Sequence, residues 1–433
     1  MTAFIGRLPR CAMSGMMVAT CVVALSVSAG AHAQTETAPA QGQIAPPYAM
    51  LLRQAGDAPR LAASEADIRR AEGLSEQARA RPNPSISVMT ENVAGSSPYS
   101  GFDRAETTVQ YSQPIELGGK RSARMAAGQA GVALSQARDR DARVAFAYDL
   151  ARAYAAAEIA DRRIGLAEDE VEEAQSDLHA AQALVGAGKE ARLRALQAQS
   201  ALNEESAALE LAKANRIGAY ARLSALVGSE QPYARLSESL LDVGAKASVV
   251  GPVDPRTTST FIVAQAECEA ASRRFEVERR RATPDITANV GVRRLDYENS
   301  TAVVGGISIP LHIFDRNRGN IAASRAEIDA AEARLAMARN EARAEGQAAV
   351  AELAAADARV TAAADAQATA DETYRLARIA YEAGKSPLVE LLSARHGLGA
   401  ARGVVLDART AHFEARARLA RLAGRTITGE PIQ

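Results

Sequence analysis

The stretch TTVQYSQPIELGGKR (residues 107–121) changes character in its middle. In the first half Val109 and Tyr111 alternate with Thr108, Gln110 and Ser112, the period of a strand with two different faces. Pro114 and the pair Gly118–Gly119 follow, and alanine-rich charged sequence then runs to about residue 185 without a proline. Proline can neither continue a ladder nor sit inside a helix, so Pro114 marks a joint. The two glycines permit a sharp change of direction. The reading is a strand that passes directly into a helix roughly 100 Å long, at about 1.5 Å per residue.

The same grammar occurs twice. ARLSALVG at 221–228 matches ARLARLAG at 417–424, AGK at 187–189 matches AGK at 383–385, and Pro114 matches Pro310, all at one offset of 196 residues. Each half then has the order short helix, two strands, very long helix, turn, returning helix. A period this long marks a duplicated module rather than a solenoid array. The first repeat covers 57–228, with strands at about 84–93 and 105–114. The second covers 257–424, with strands at about 285–295 and 301–311. Long helices are expected over 120–185 and 317–382, and returning helices over about 189–228 and 385–424. Short helices precede the strands at about 57–81 and 257–282. A short and a returning helix together match the length of a long one, so the pair stacks beside it. The Gly-, Pro- and Ser-richer segment 229–256 links the halves as an equatorial belt, 34–56 reads as a flexible N-terminal segment, and 425–433 as a C-terminal tail.

The N-terminus reads as an export signal. Arg7 and Arg10 precede an apolar run, and Ala31-His32-Ala33 is a small-x-small cleavage site. A transmembrane anchor fits less well, because the cleavage site follows directly; lipidation at Cys21 would require Thr20 in an unfavourable preceding position. Removal of 1–33 leaves Cys268 as the one cysteine, so no internal disulfide is available. A net charge of −1 provides no basic footprint for nucleic acid. Aromatics make up 4% and Trp is absent, while alanine dominates the apolar residues. This composition suits long helices in close contact rather than a thick globular core. No later stretch is apolar enough for a transmembrane helix.

The four strand segments have the length of tilted transmembrane β-strands, about 9–11 residues. A water-soluble hairpin with one wet face fits any one pair; four such strands in an exported chain favour the membrane. Four strands cannot close a barrel, and an open sheet edge is not tolerated in lipid. The barrel must therefore be shared among subunits.

RPNPSISVMTEN, QPIELGGKRSAR and IPLHIFDRNRGNIAASRAEI resemble the outer-membrane efflux proteins of the TolC type, and among them the CzcC-like branch attached to heavy-metal export pumps. The resemblance runs from about 57 to 424. It implies a mainly α protein with transmembrane β: a homotrimer with a 12-stranded barrel in outer-membrane lipid on a 12-helix periplasmic α-barrel. It also implies two partners, a periplasmic adaptor and an inner-membrane proton-driven RND pump. The competing classes are a periplasmic adaptor, which would need a lipoyl-type domain around one hairpin, and an exported structural coiled coil, which leaves strands and duplication unexplained.

No pattern for catalysis, a cofactor or a metal site is present. His179, His312, His396 and His412 lack ligand spacing. A conduit gains nothing from tight cargo binding, and the cargo is not readable from the chain. The functional positions are structural ones. Pro114, Gly118, Gly119 and Pro310 form the strand–helix joints. The turns Gly186, Gly188, Lys189, Glu190 and Glu382, Gly384, Lys385, Ser386 form the two hairpin tips, where the resemblance implies adaptor docking. The resemblance also assigns Glu390, just beyond the second tip, to the constricted periplasmic mouth. Its repeat partner Arg194 has the opposite charge, where TolC itself has an acid, and Ser393 replaces a second acid. Arg194 on the neighbouring coil is the expected counter-charge.

Overall fold

A computed structural model describes residues 43–54, 58–242 and 253–432. The segment 1–33, read as an export signal, lies outside them with Cys21, as do the first part of the N-terminal segment and residues 243–252 of the linker.

Strand β1 (Gln43–Ala45) and helix α1 (Tyr48–Gln54) precede the first repeat. That repeat contains α2 (Pro59–Gln77), β2 (Ser85–Glu91), β3 (Glu106–Ile115), α3 (Lys120–Gly186) and α4 (Arg192–Val227). Strand β4 (Tyr233–Leu236) and one 3-10 turn at Pro255–Thr257 lie in the linker. The second repeat contains α5 (Ser259–Arg281), β5 (Ile286–Leu295), β6 (Ser300–Ser308), α6 (Arg318–Glu382) and α7 (Leu388–Leu422). The long helices have 67 and 65 residues, each about 100 Å of rise.

Strands β2, β3, β5 and β6 form one antiparallel sheet in the order β2-β3-β5-β6. Register aligns Val88, Val109, Val292 and Val303 in a row across all four strands. The neighbouring row on that face holds Ile86, Tyr111 and Val290. These side chains are exposed, Val303 at 79% and Ile86 at 74%. The opposite face holds Ser87, Gln110, Ser112, Asn289 and Arg293. Here Arg293 lies 3.1 Å from Glu106 and 3.4 Å from Glu91. One face is apolar and bare and the other polar, the reverse of a soluble sheet, whose apolar face is covered. Gly291 serves the close approach of β3 and β5: a Cβ there would lie 2.6 Å from the Val109 carbonyl oxygen.

The helices repeat the order of the strands. Helix α3 packs against α2 and α4, and also against α5 and α7, which in turn pack on α6. The layer therefore ends in α2 and α4 on one side and in α6 on the other, just as the sheet ends in β2 and β6.

Much of the packing is alanine on alanine, and large side chains gather at two levels, one near the tips with Tyr374, Tyr381, Leu388, Leu391 and Leu398, and one midway along the long helix α3. There Phe146, Leu150 and Tyr154 of α3 meet Tyr220 and Leu223 of α4, Phe413 of α7, and Tyr48 and Leu51 of α1. This corrects the reading of 34–56 as flexible throughout. Residues 43–45 pair in parallel with β4, and Tyr48 and Leu51 are almost fully buried. Apolar burial of that size offsets the entropy of ordering a short segment. The linker is pinned there too: buried Glu158 accepts the backbone N–H groups of Leu240 (2.8 Å) and Leu241 (3.0 Å). The tail returns as well, with Ile427 in the same core.

Candidate functional site

The chain has three distinct levels: the joint below the sheet, the seam between the helical hairpins, and the hairpin tips.

At the joint, Gly118 and Gly119 have φ of +67° and +73°. Both are tightly overlaid by the second repeat. A Cβ on Gly118 would meet the Thr283 side chain at 2.8 Å, and the Arg280 guanidinium donates to the Gly118 carbonyl (2.6 Å). Asp285 accepts the Leu117 N–H (3.0 Å) and pairs with Lys120 (2.9 Å). Glu116 is engaged by Arg124. Pro114 remains in register with Thr287, so the ladder continues to the start of the turn. In the second repeat Pro310 lies just beyond β6, and Asn317, with φ of +57°, takes the place of the second glycine. Asparagine is one of the few non-glycine residues suited to that region.

The tips are two copies of one turn. The N–H of Lys189 donates to the Leu184 carbonyl (2.9 Å) and that of Gly188 to Val185 (3.0 Å). Lys385 and Gly384 repeat this toward Ala380 and Tyr381, both at 2.8 Å. Gly188 and Gly384 have φ of +69° and +68°, the left-handed residue of a Schellman turn, with open space where a Cβ would point. Gly186 is the last residue of α3, and Glu382 the last of α6. Lys385 and Ser386 begin the turn into α7, and the Ser386 hydroxyl is buried without a hydrogen bond.

Arg194 and Glu390 are not brought together within one chain. Arg194 lies 3.9 Å from Glu190 in the tip turn just before its helix, and donates to Gln197 (3.0 Å). Glu390 is in the first turn of α7, a favourable place for an acid at a helix N-terminus. It is exposed, beside a shallow groove of Thr369, Ala370, Thr373, Ser393 and Gly397.

The sequence reading missed the seam above the tips. Arg395 of α7 lies 3.5 Å from Asp177 of α3 and 3.6 Å from Glu205 of α4. Tyr374 of α6 donates to Asp177 (3.3 Å). Further along, Arg402 joins Glu173 of α3 (3.0 Å) to Asp371 of α6 (3.6 Å). Two arginines of one helix thus tie both hairpins together. Burial pushes the Asp177 carboxyl up to about 6, against the pull of Arg395. The only prior signal was the run of small residues around Arg395, too common in this chain to single it out.

Among the described residues no helix is long and apolar enough to cross a membrane, and no group of three or more His, Cys, Asp or Glu could hold a metal ion. The bare apolar face of the sheet is a different matter. A bilayer-facing surface on four strands, continuous with long hairpins, is the architecture of an export duct. Residues 53–229 and 260–425 match the family described as outer membrane efflux protein, one match per repeat. The chain belongs to that family. It is 39% identical over 386 residues to the nickel-cobalt-cadmium resistance protein NccC of Alcaligenes xylosoxydans xylosoxydans, covering 89% of this chain and 88% of that protein. It is 40% identical over 314 residues to the nickel and cobalt resistance protein CnrC of Cupriavidus metallidurans, covering 72% and 75%. The cobalt-zinc-cadmium resistance protein CzcC of the same organism is 30% identical over 386 residues, covering 87% of this chain and 89% of that protein. Among solved structures, CusC superposes with a TM-score of 0.75 at 17% identity, covering 88% of this chain and 92% of that one. The outer-membrane channel OprN superposes at 0.73 and 18%, covering 88% and 90%. This efflux protein is therefore an outer-membrane channel of the TolC type, in its CzcC-like branch, with a long periplasmic helical portion. The adaptor and free coiled-coil readings fall away.

Proposed function

We propose that three copies of this chain form a passive exit duct for heavy-metal cations, as the outer-membrane part of a tripartite RND-type system with a periplasmic adaptor and an inner-membrane pump. One observation carries the assembly. Sheet and helix layer end on the same two sides, so a single rotation can pair β6 with the next copy's β2 while α6 meets its α2 and α4. A head-to-tail contact that closes on itself makes a ring, and three copies of four strands give the twelve that the family resemblance implies. The polar sheet face then lines the lumen and the apolar face meets lipid. The metal cargo is supported by the names of the relatives: nickel, cobalt and cadmium in one, nickel and cobalt in another.

In this assembly the tips, Gly186–Glu190 and Glu382–Ser386, are the adaptor-docking surface, at the end farthest from the sheet. Glu390 lines the periplasmic mouth, and Arg194 screens it through Glu190 or a neighbouring copy. Chemical cross-linking in mild detergent should give a ladder ending at three. Deletion of the gene should lower resistance to nickel, cobalt or cadmium salts. A stable monomer with intact β-structure would contradict the assembly. Unchanged metal tolerance with sensitivity to organic toxicants would contradict the cargo.

A further inference from the structure

The joint carries more positive charge than its carboxylates can take up. Glu116 is engaged by Arg124, Asp285 by Lys120, Glu276 by Arg279 (2.8 Å) and Glu278 by Arg281 (2.8 Å). Arg79, Arg81, Arg121, Arg316 and Arg318 are left over, with no carboxylate within ion-pairing distance among the described residues. Arg121 and Arg316 donate only to backbone carbonyls, of Arg79 (2.8 Å) and His312 (3.4 Å). The placement is electrostatically contrary. Helix α3 begins Lys120-Arg121 and α6 begins with Arg318, and neither has an acid in its first turn. A cation at the positive end of a helix is unfavourable, whereas an anion there is favoured. At the start of α3 Asp285 answers Lys120, and at the start of α6 Asp315 accepts the Asn317 N–H (2.8 Å), which leaves Arg121, Arg316 and Arg318 beside the positive helix ends without an ion-pair partner among the described residues.

The apolar residues at this level are equally unmet. Below the lipid-facing rows of the sheet, Ile309 is 50% exposed, Leu311 76% and Phe314 100%. A bare aromatic beside unpaired arginines, where an apolar barrel face gives way to a charged helical tube, is the arrangement of a membrane interface.

We infer that this joint is a binding collar for the phosphate headgroups of anionic phospholipid in the periplasm-facing leaflet of the outer membrane. Arg79, Arg81, Arg316 and Arg318 take the phosphates, and Phe314 inserts among the acyl chains beside them. Bound phosphates supply the missing negative charge at the starts of α3 and α6, and fix the height of the barrel in the bilayer. The inference rests on the outer-membrane barrel described above.

The chain has no tryptophan, so Phe314→Trp creates a sole emitter at the collar and Val303→Trp a sole emitter on the lipid-facing sheet. Each full-length protein is reconstituted in vesicles containing brominated phosphatidylglycerol or, at the same mole fraction, brominated phosphatidylcholine. Bromine quenches indole emission only near contact. Val303→Trp should be quenched equally by both. Phe314→Trp should report phosphatidylglycerol enriched roughly fivefold, of the order of one arginine's attraction to an anionic surface. Combining it with Arg79→Gln, Arg81→Gln, Arg316→Gln and Arg318→Gln should remove that preference. If that variant does not assemble, salt at about 0.5 M applied to the arginine-bearing protein should remove it instead. Equal quenching by the two lipids, or a preference that survives loss of the arginines or the added salt, overturns the collar. Quenching of Val303→Trp but not of Phe314→Trp also overturns it and places a second copy over the patch. Absence of quenching at Val303 overturns the barrel reading itself.

Discussion

The Arg395 guanidinium and the Asp177 carboxylate lie 3.5 Å apart on different helical hairpins, each with a side chain only 2% exposed. None of the three guanidinium nitrogens makes a hydrogen bond of good geometry, so the pair is held by charge and enclosure. Removing one member of a buried pair costs about 3–5 kcal/mol, because the other is left uncompensated. Arg395→Met should therefore lower the thermal stability of the periplasmic helices markedly. Loss of an exposed pair such as Arg163–Asp407 should be worth roughly 0–1 kcal/mol. Melting followed by helical circular dichroism distinguishes the two; equal small effects would mean that the seam is wet.

The seam should also respond to acid. The Asp177 carboxyl is raised to about 6 by burial, ahead of the opposing Arg395, with Tyr374, Arg378 and Glu173 also facing it. A carboxyl raised above its unfolded value of about 4 binds a proton more readily when folded, so this group's contribution is greatest at acid pH and is lost as pH rises through 6. Asp177→Asn fixes the neutral form. The substitution leaves Arg395 with Glu205 alone, so a constant cost is expected at every pH. Superimposed on it, the variant's stability relative to the parent should be highest at neutral pH and decline as pH falls from 7 to 5, because only the parent takes up a proton there. A difference that stays flat over this window would show that Asp177 does not titrate there.

Glu158 anchors the linker from the middle of α3. Besides the two N–H groups it accepts Ser239 (2.6 Å) and Arg162 (2.7 Å), with 9% of its side chain exposed. Hydrogen bonds to a charged acceptor are each worth about 1.5–3 kcal/mol net. Glu158→Ala should destabilise the equatorial core by at least one such bond and expose the chain near 239–242 to limited proteolysis. Cleavage no faster than in the parent would place the anchor elsewhere, in the Arg216–Asp161 pair or the apolar cluster.

The two sheet faces make opposite demands. Val290→Arg puts a cation on the apolar face, where the expected cost is about 2–4 kcal/mol near the bilayer midplane. Asn289→Arg, one residue away on the polar face, should be tolerated. Heat-modifiable gel mobility reads the folded fraction. Equal tolerance of both would contradict a lipid-facing valine row.

At the tips, Gly188→Val and Gly384→Val place a side chain at positive φ, costing about 1–2 kcal/mol per residue, but in open space. Membrane level and oligomer should survive, and metal resistance should be lost if the tips receive an adaptor. Arg194→Glu should raise resting conductance in planar bilayers, and Glu390→Ala should weaken cation preference. Parental behaviour in both would remove these residues from the mouth.

The large elements were legible because each rests on a local rule. Period-two alternation marked the strands, proline and glycine marked the joints, and the 196-residue offset transferred a clear reading of the second half onto the first. Residues 43–54 escaped because two short elements carry no periodicity, and the partner of β1 lies about 190 residues away at Tyr233–Leu236. The pairing of Arg194 with Glu190 escaped for a related reason. Equivalent positions in two repeats need not touch, whereas the tip turn folds Glu190 back to within 3.9 Å of Arg194. The Arg395 seam was invisible because one arginine among many in an alanine-rich helix shows its burial only when four helices converge on it.

Because sheet and helix layer each stop at an unfinished side, every copy is both donor and acceptor to its neighbours. A folded but incompetent copy would therefore enter rings rather than stand aside. In a cell making equal amounts of sound and defective chain, only about one ring in eight would be wholly sound if three copies close at random. Defects that spare the edges β2 and β6 but ruin the tips should then be genetically dominant, and those that ruin an edge recessive.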